Sequence, residues 1–176
     1  MSNFFNTKKE MKGRRLPVVL NYDEFLKIIE NTKKEHHKLA FKLGFLCGLR
    51  VSEIVKLKPD DVDYGRRLLF IRQGKGGKDR YVPFPTQFAK SLKGLPIKCG
   101  VRALEMVFKI ISKRAEINKD VHFHTLRHSC ATHYLSKGMN IVQVQQLLGH
   151  SQLNTTTIYL HVSPDDVKNK MDEIWK

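Results

Sequence analysis

Acidic residues are few in this sequence: 17 Asp and Glu stand against 32 Lys and Arg, a formal net charge of +15. An excess of that size implies a polyanionic partner, nucleic acid or an anionic membrane surface, with an inert basic surface as the plain alternative. No apolar run approaches the roughly 18 residues that a membrane span requires. The start, Met1-Ser2-Asn3-Phe4-Phe5, leads into charge and not into a signal-peptide core, so no membrane association is expected. Cysteine is sparse. Cys47, Cys99 and Cys130 lie far apart, an odd set without a CxxC pair, which argues against a disulfide framework or a cysteine-based zinc site. A reducing cytoplasm fits that usage. There is no internal repeat and no low-complexity tract.

Two familiar site patterns are also missing. The Gly-rich stretch Gln73-Gly74-Lys75-Gly76-Gly77-Lys78-Asp79-Arg80 fails the P-loop pattern, because Asp79 follows Lys78 where Ser or Thr is needed and Arg72 stands where the first glycine belongs. His122, His124, His128 and His133 crowd one segment, and His124/His128 has i, i+4 spacing. It offers no HExxH and no cysteine partner, so no metal site and no cofactor are expected.

What is present suffices for one folded domain. Apolar residues make up 41% of 176 residues, enough to bury a core without staples. Residues 1–15 carry Lys8, Lys9, Lys12, Arg14 and Arg15 against Glu10 alone and show no apolar period. They read as a basic, mobile arm or linker, either a solvated tail or a contact to a DNA backbone. Asn21 or Asp23 can cap a helix with Phe25, Leu26, Ile28 and Ile29 at helical spacing. A second helix covers about 34–47 and is interrupted at Gly48. The apolar face resumes through Ile54, Val55 and Leu57 until Pro59 stops it, which places Arg50 at a helix junction with Glu53 one turn on. That pair reads either as a buried ion pair or as an arginine held by an acid so that its outer fork can grip a phosphate.

The one clear β signal is a hairpin over 67–83, with Lys75 and Lys78 on its cationic tip. The tip is either a plain exposed turn or a finger for a DNA groove. Val101–Ala115 is a helix with Leu104, Val107, Phe108 and Ile111 inward and Arg102, Lys109, Lys113 and Arg114 mostly outward. A helix opening at His124 puts His124 and Arg127 on one face at i, i+3. Asn140 and Gln143 suit a capping box, and Gly149 a helix stop, leaving His150 just past the end. Residues 153–162 form a weak helix rich in β-branched side chains, and Tyr159 rides on it between Gly149 and Pro164. Such an element can move its tyrosine. A final helix follows through Met171, Ile174 and Trp175. The fold class is therefore mainly α with a small β-hairpin or sheet, α+β.

A nucleophilic tyrosine suits these groups better than a metal does. A phenol attacking phosphorus loses a proton while the nonbridging oxygens gain charge, which two arginines answer with permanent, bidentate contacts. Histidine supplies hydrogen bonds and proton transfer near neutral pH. A lysine on a mobile tip can protonate the departing alkoxide. The covalent intermediate keeps the bond energy.

Gly48-Leu49-Arg50-Val51-Ser52-Glu53, Gly74-Lys75-Gly76-Gly77-Lys78, His124-Thr125-Leu126-Arg127-His128, Leu147-Leu148-Gly149-His150 and Tyr159, in that order, resemble the tyrosine recombinase family, the phage-integrase and Xer-like enzymes that cut and rejoin DNA. The resemblance implies the catalytic fold of that family over residues 16–176. It implies a site-specific recombinase or integrase that works through a 3′-phosphotyrosyl link without metal or ATP. By it, Arg50 and Arg127 clamp the scissile phosphate, and Glu53 buttresses the site. His124 helps to accept the tyrosine proton, and Lys75, ahead of Lys78, is the general acid toward the 5′-hydroxyl. His150 hydrogen-bonds the phosphate, and Tyr159 is the nucleophile. The implied partner is double-stranded DNA, with self-association as dimer or tetramer upon it; the C-terminal helix either docks on a neighbour or packs at home. The helical N-terminal domain usual in the family is missing from the sequence, which implies a catalytic part or a minimal single-domain enzyme. Topoisomerase-like relaxation of DNA and a non-catalytic DNA-binding factor are the rival readings.

Overall fold

The computed structural model of the chain describes residues 17–72, 79–149 and 164–175. The expected arm over 1–15, the hairpin tip with Lys75 and Lys78, His150, and the weak helix carrying Tyr159 lie outside the described residues.

Helix α1 (Tyr22–Glu30) starts on Asn21, whose side-chain oxygen accepts from the Glu24 N–H while the Glu24 carboxylate accepts from the Asn21 N–H, both at 2.8 Å. This reciprocal cap satisfies two helix-end donors, so Asn21 and not Asp23 sets the start. Helix α2 (Glu35–Leu46) is the central element: eight of its twelve residues are buried, Phe41 and Leu43 completely. Phe45 stacks on Phe25 at 4.0 Å between ring centroids. Phe41 meets Phe108 and Phe123 edge-on at 5.2 and 5.9 Å. A helix apolar on most sides belongs in the middle of a core, and α2 lies between α1, α5 (Val101–Arg114) and α6 (Phe123–Ser136).

After Gly48 the chain forms the short helix α3 (Val51–Ile54), with Arg50 at its N-cap. The helix expected to run on toward Pro59 ends at Ile54. The chain turns there so that Leu57 enters the core, and a 3₁₀ turn, Pro59–Asp61, follows. The expected hairpin is present as β2 (Leu68–Ile71) and β3 (Arg80–Pro83), antiparallel, with Ile71 opposite Arg80. A two-residue strand, β1 (Val62–Asp63), which the sequence reading did not anticipate, pairs with β2 and completes a sheet of order β1-β2-β3. At the root of the tip Arg72 donates to Asp61 at 2.7 and 3.0 Å and lies over the Phe70 ring.

Beyond α4 (Ala89–Leu92), α5 and α6 complete the helical body, and α7 (Ile141–Leu148) begins on the Asn140/Gln143 capping box. Helix α8 (Pro164–Ile174) packs against α7 and β3 of its own chain, with Val167 and Met171 fully buried. Arg67 grips Asp172 through two contacts of 2.5 and 2.6 Å. The Trp175 indole donates to the Tyr134 hydroxyl, which itself donates to the Leu46 carbonyl. These contacts pack the helix on its own domain. No described helix is long and apolar enough to cross a membrane.

Candidate active site

The candidate site forms where the α2–α3 junction, the start of β3, the first turns of α6 and the end of α7 converge. Glu53 is its buried centre. Its carboxylate accepts from the Arg50 backbone N–H and from Arg50 Nη1, both at 2.9 Å. It also accepts from Arg80 Nη1 and Nη2 at 2.8 and 2.9 Å. Burial is the largest influence on this carboxyl and pushes its pKa up. The Arg80 hydrogen bonds, the Arg50 N–H and the two guanidinium charges together outweigh it and hold the pKa at about 2. Glu53 is therefore ionised at any physiological pH.

Arg127 sits deeper, only 4% exposed. Its guanidinium donates to the Gly48 carbonyl and, at 2.7 Å, to the Leu148 carbonyl. Leu148 closes α7, where helix carbonyls lack intrahelical donors and a cation is favoured. One arginine thus ties the α2–α3 junction to the α7 end. Burial, then the neighbouring Arg50 charge, lowers its pKa to about 10, still high enough to stay charged near pH 7. The close fit depends on Gly48: its φ is +62°, and a Cβ there would overlap Leu148 and crowd Cys130.

His124, one turn before Arg127, is exposed, with its ring edge-on to His128 at 4.6 Å. The shared helix face put both residues at the same spot by spacing, yet the structure separates them in depth. Partial shielding from solvent, then the charges of His128, Arg127 and Arg50, lowers the His124 pKa and keeps the imidazole neutral near pH 7.

Of the residues expected at the site, Arg50, His124 and Arg127 fall among those described, and they come together with Glu53. Lys75, His150 and Tyr159 lie outside the described residues. Arg80 is a further residue of the site, one that the sequence places with the hairpin tip. Strand alternation was the available signal: Arg80 and Val82 share the inner face of β3 while Tyr81 is exposed.

The crowded histidines of α6 form no set of three close metal donors among the described residues. His36, His37 and Cys99 do, with ligand atoms within 4.8 Å of one another. Lys34 acts on both His37 and Cys99, and a like charge there disfavours a bound cation.

Arginines gathered around a buried acid, with a neutral histidine beside them, are an arrangement that can hold an anion and move a proton. Residues 19–166 match the Phage integrase family, and the chain belongs to that family. Within it the chain is similar to tyrosine recombinases. The tyrosine recombinase from Pseudothermotoga lettingae is 40% identical over 165 residues, covering 85% of this chain and 58% of that protein. The crystal structure of XerA recombinase matches with a TM-score of 0.70 at 29% identity, over 89% of this chain and 65% of that one. XerH site-specific recombinase, in a pre-cleavage complex with its difH substrate, matches at 0.67 and 27%, over 84% and 51%. The mainly helical fold with its small antiparallel sheet is thus the tyrosine recombinase catalytic fold. The chain spans less than two thirds of the length of the curated relatives it matches.

Proposed function

We propose that residues 16–176 act as the catalytic domain of a site-specific DNA recombinase. It would cut and rejoin duplex DNA through a 3′-phosphotyrosyl intermediate on Tyr159. The observation that carries this reading is the convergence of Arg50, Arg127 and His124 around the buried Glu53 carboxylate. Distant segments deliver permanent positive charge and a neutral imidazole to one place. The net charge of +15 suits DNA, and the XerH site-specific recombinase is described in a pre-cleavage complex with its difH substrate.

In this mechanism Arg50 and Arg127 offset the charge that builds on the nonbridging phosphate oxygens as the phosphorus is attacked. His124, neutral near pH 7, accepts the phenol proton of Tyr159. The new Tyr159–phosphorus ester forms as the bond to the 5′-oxygen breaks, and Lys75 gives that oxygen its proton. His150 donates a hydrogen bond to the phosphate. Attack by the 5′-hydroxyl of another strand reverses the step and restores the phosphodiester, so the reaction needs neither metal nor nucleotide. Exchange between two duplexes calls for more than one subunit on DNA.

The test uses nicked duplexes chosen by covalent capture from a random library, which trap the intermediate because the short 5′ fragment diffuses away. Lys75→Ala is expected to slow adduct formation by about 100-fold or more. A 5′-bridging phosphorothiolate, whose leaving group needs no proton, should restore the rate. A defect that persists on the phosphorothiolate contradicts the assignment of Lys75 as the acid.

A further inference from the structure

Glu53 serves two arginines, and only one of them belongs to the proposed phosphate clamp. The other, Arg80, opens β3 and turns inward. Both of its terminal nitrogens reach the Glu53 carboxylate, at 2.8 and 2.9 Å, and its side chain is 15% exposed against 22% for Arg50. Its stem and Nε lie against Gly149, where a Cβ would overlap them. Among the described residues Nε finds no acceptor. Arg80 is therefore confined by the α7 end on one side and by a bidentate pair on the other.

We propose that Arg80 is a positioning residue: it locks the Glu53 carboxylate in the one orientation that presents the Arg50 guanidinium to the scissile phosphate. The inference rests on the recombinase reading above and deepens it. Arg50 caps α3 at the surface of the site and has a long side chain with many rotamers. Its fixed points are the two Glu53 contacts, one on its backbone N–H and one on Nη1. Those contacts have a defined direction only while the carboxylate itself cannot rotate, and Arg80 occupies both carboxylate oxygens. Breaking the Arg80–Glu53 pair would be costly, but apolar residues of the same volume would often be as stable, so stability alone does not call for an ion pair at this place. What it supplies is geometry, in a reaction where misplacement by about 1 Å costs about 100-fold.

The experiment compares the full chain with Arg80→Gln and Arg80→Lys by two readouts. The first needs no activity: ¹⁵N relaxation of the arginine Nε–H groups. Arg50 is expected to become mobile in Arg80→Gln and partly ordered again in Arg80→Lys. Arg127, held by the Gly48 and Leu148 carbonyls, should stay unchanged in both. The second is covalent adduct formation on a nicked duplex with either a phosphodiester or a neutral methylphosphonate at the scissile position. Arg80→Gln should be slower on the phosphodiester by about 100-fold. The gap should narrow on the methylphosphonate, which lacks the charge that Arg50 neutralises. An equal loss on both substrates marks a general lesion and overturns the proposal, as does an Arg50 that stays ordered in Arg80→Gln. If Arg80→Gln does not fold, Arg80→Lys decides by the same readouts. If the unmodified chain forms no adduct on any duplex, the recombinase reading fails, and the order of Arg50 alone decides for or against Arg80.

Discussion

At Glu53 burial and charge pull in opposite directions, and charge wins. An ordinary glutamate near 4.5 held at about 2 by its neighbours corresponds to roughly 3 kcal/mol of folding stability. Because the folded-state pKa is depressed, that contribution is complete above about pH 4.5 and is lost as the pH falls toward 2. Glu53→Gln is therefore expected to destabilise the chain by on the order of 3 kcal/mol at pH 7, since it leaves the half-buried Arg80 without its counter-charge. The gap to the unmodified chain should narrow by about 2 kcal/mol by pH 3. Urea unfolding midpoints at pH 7, 5 and 3 measure it, and a gap independent of pH contradicts the account. At this scale the sequence was informative only over short range. The i, i+3 spacing of Arg50 and Glu53 announced their pairing, whereas Arg80 lies 27 residues from Glu53 and is brought there by the hairpin. Likewise, helix spacing set His124 and Arg127 on one face. It could not foretell that Arg127 would sink onto two backbone carbonyls while His124 stayed in solvent, because those carbonyls come from Gly48 and Leu148.

Among the elements, the tightest junction is Gly48 against the end of α7. The positive φ of Gly48 and the overlap that a Cβ would make with Leu148 act together, and its carbonyl is one of the two acceptors of Arg127. Gly48→Ala is expected to cost about 2–4 kcal/mol through strain and overpacking. Chemical denaturation measures this, and a change below about 0.5 kcal/mol, within the range of an inert surface substitution, contradicts it. The helices themselves were legible. Apolar period, the Asn21 and Asn140 caps and the Gly149 stop mark α1, α2, α5 and α7 within a residue or two. Two items were not. A strand as short as β1 has no period to read, and its pairing with β2 comes from the sheet and not from its own residues. The end of α3 follows from the need to bury Leu57, a tertiary demand that the apolar pattern of Ile54, Val55 and Leu57 conceals.

For the whole molecule, a basic charge balance and a helical body around α2 are consistent with the proposed recombinase, which would hold DNA by its backbone and act on one phosphate. The α8 helix closes on its own chain through Met171, the Arg67–Asp172 pair and Trp175, which staples the described body from its C-terminal side. The account stands or falls on the covalent link between Tyr159 and DNA. The most direct measurement is denaturing electrophoresis of the protein with a nicked, end-labelled duplex, comparing the unmodified chain with Tyr159→Phe. The account predicts a labelled adduct that resists denaturant with tyrosine at 159 and none with phenylalanine. An adduct that persists in Tyr159→Phe would contradict it.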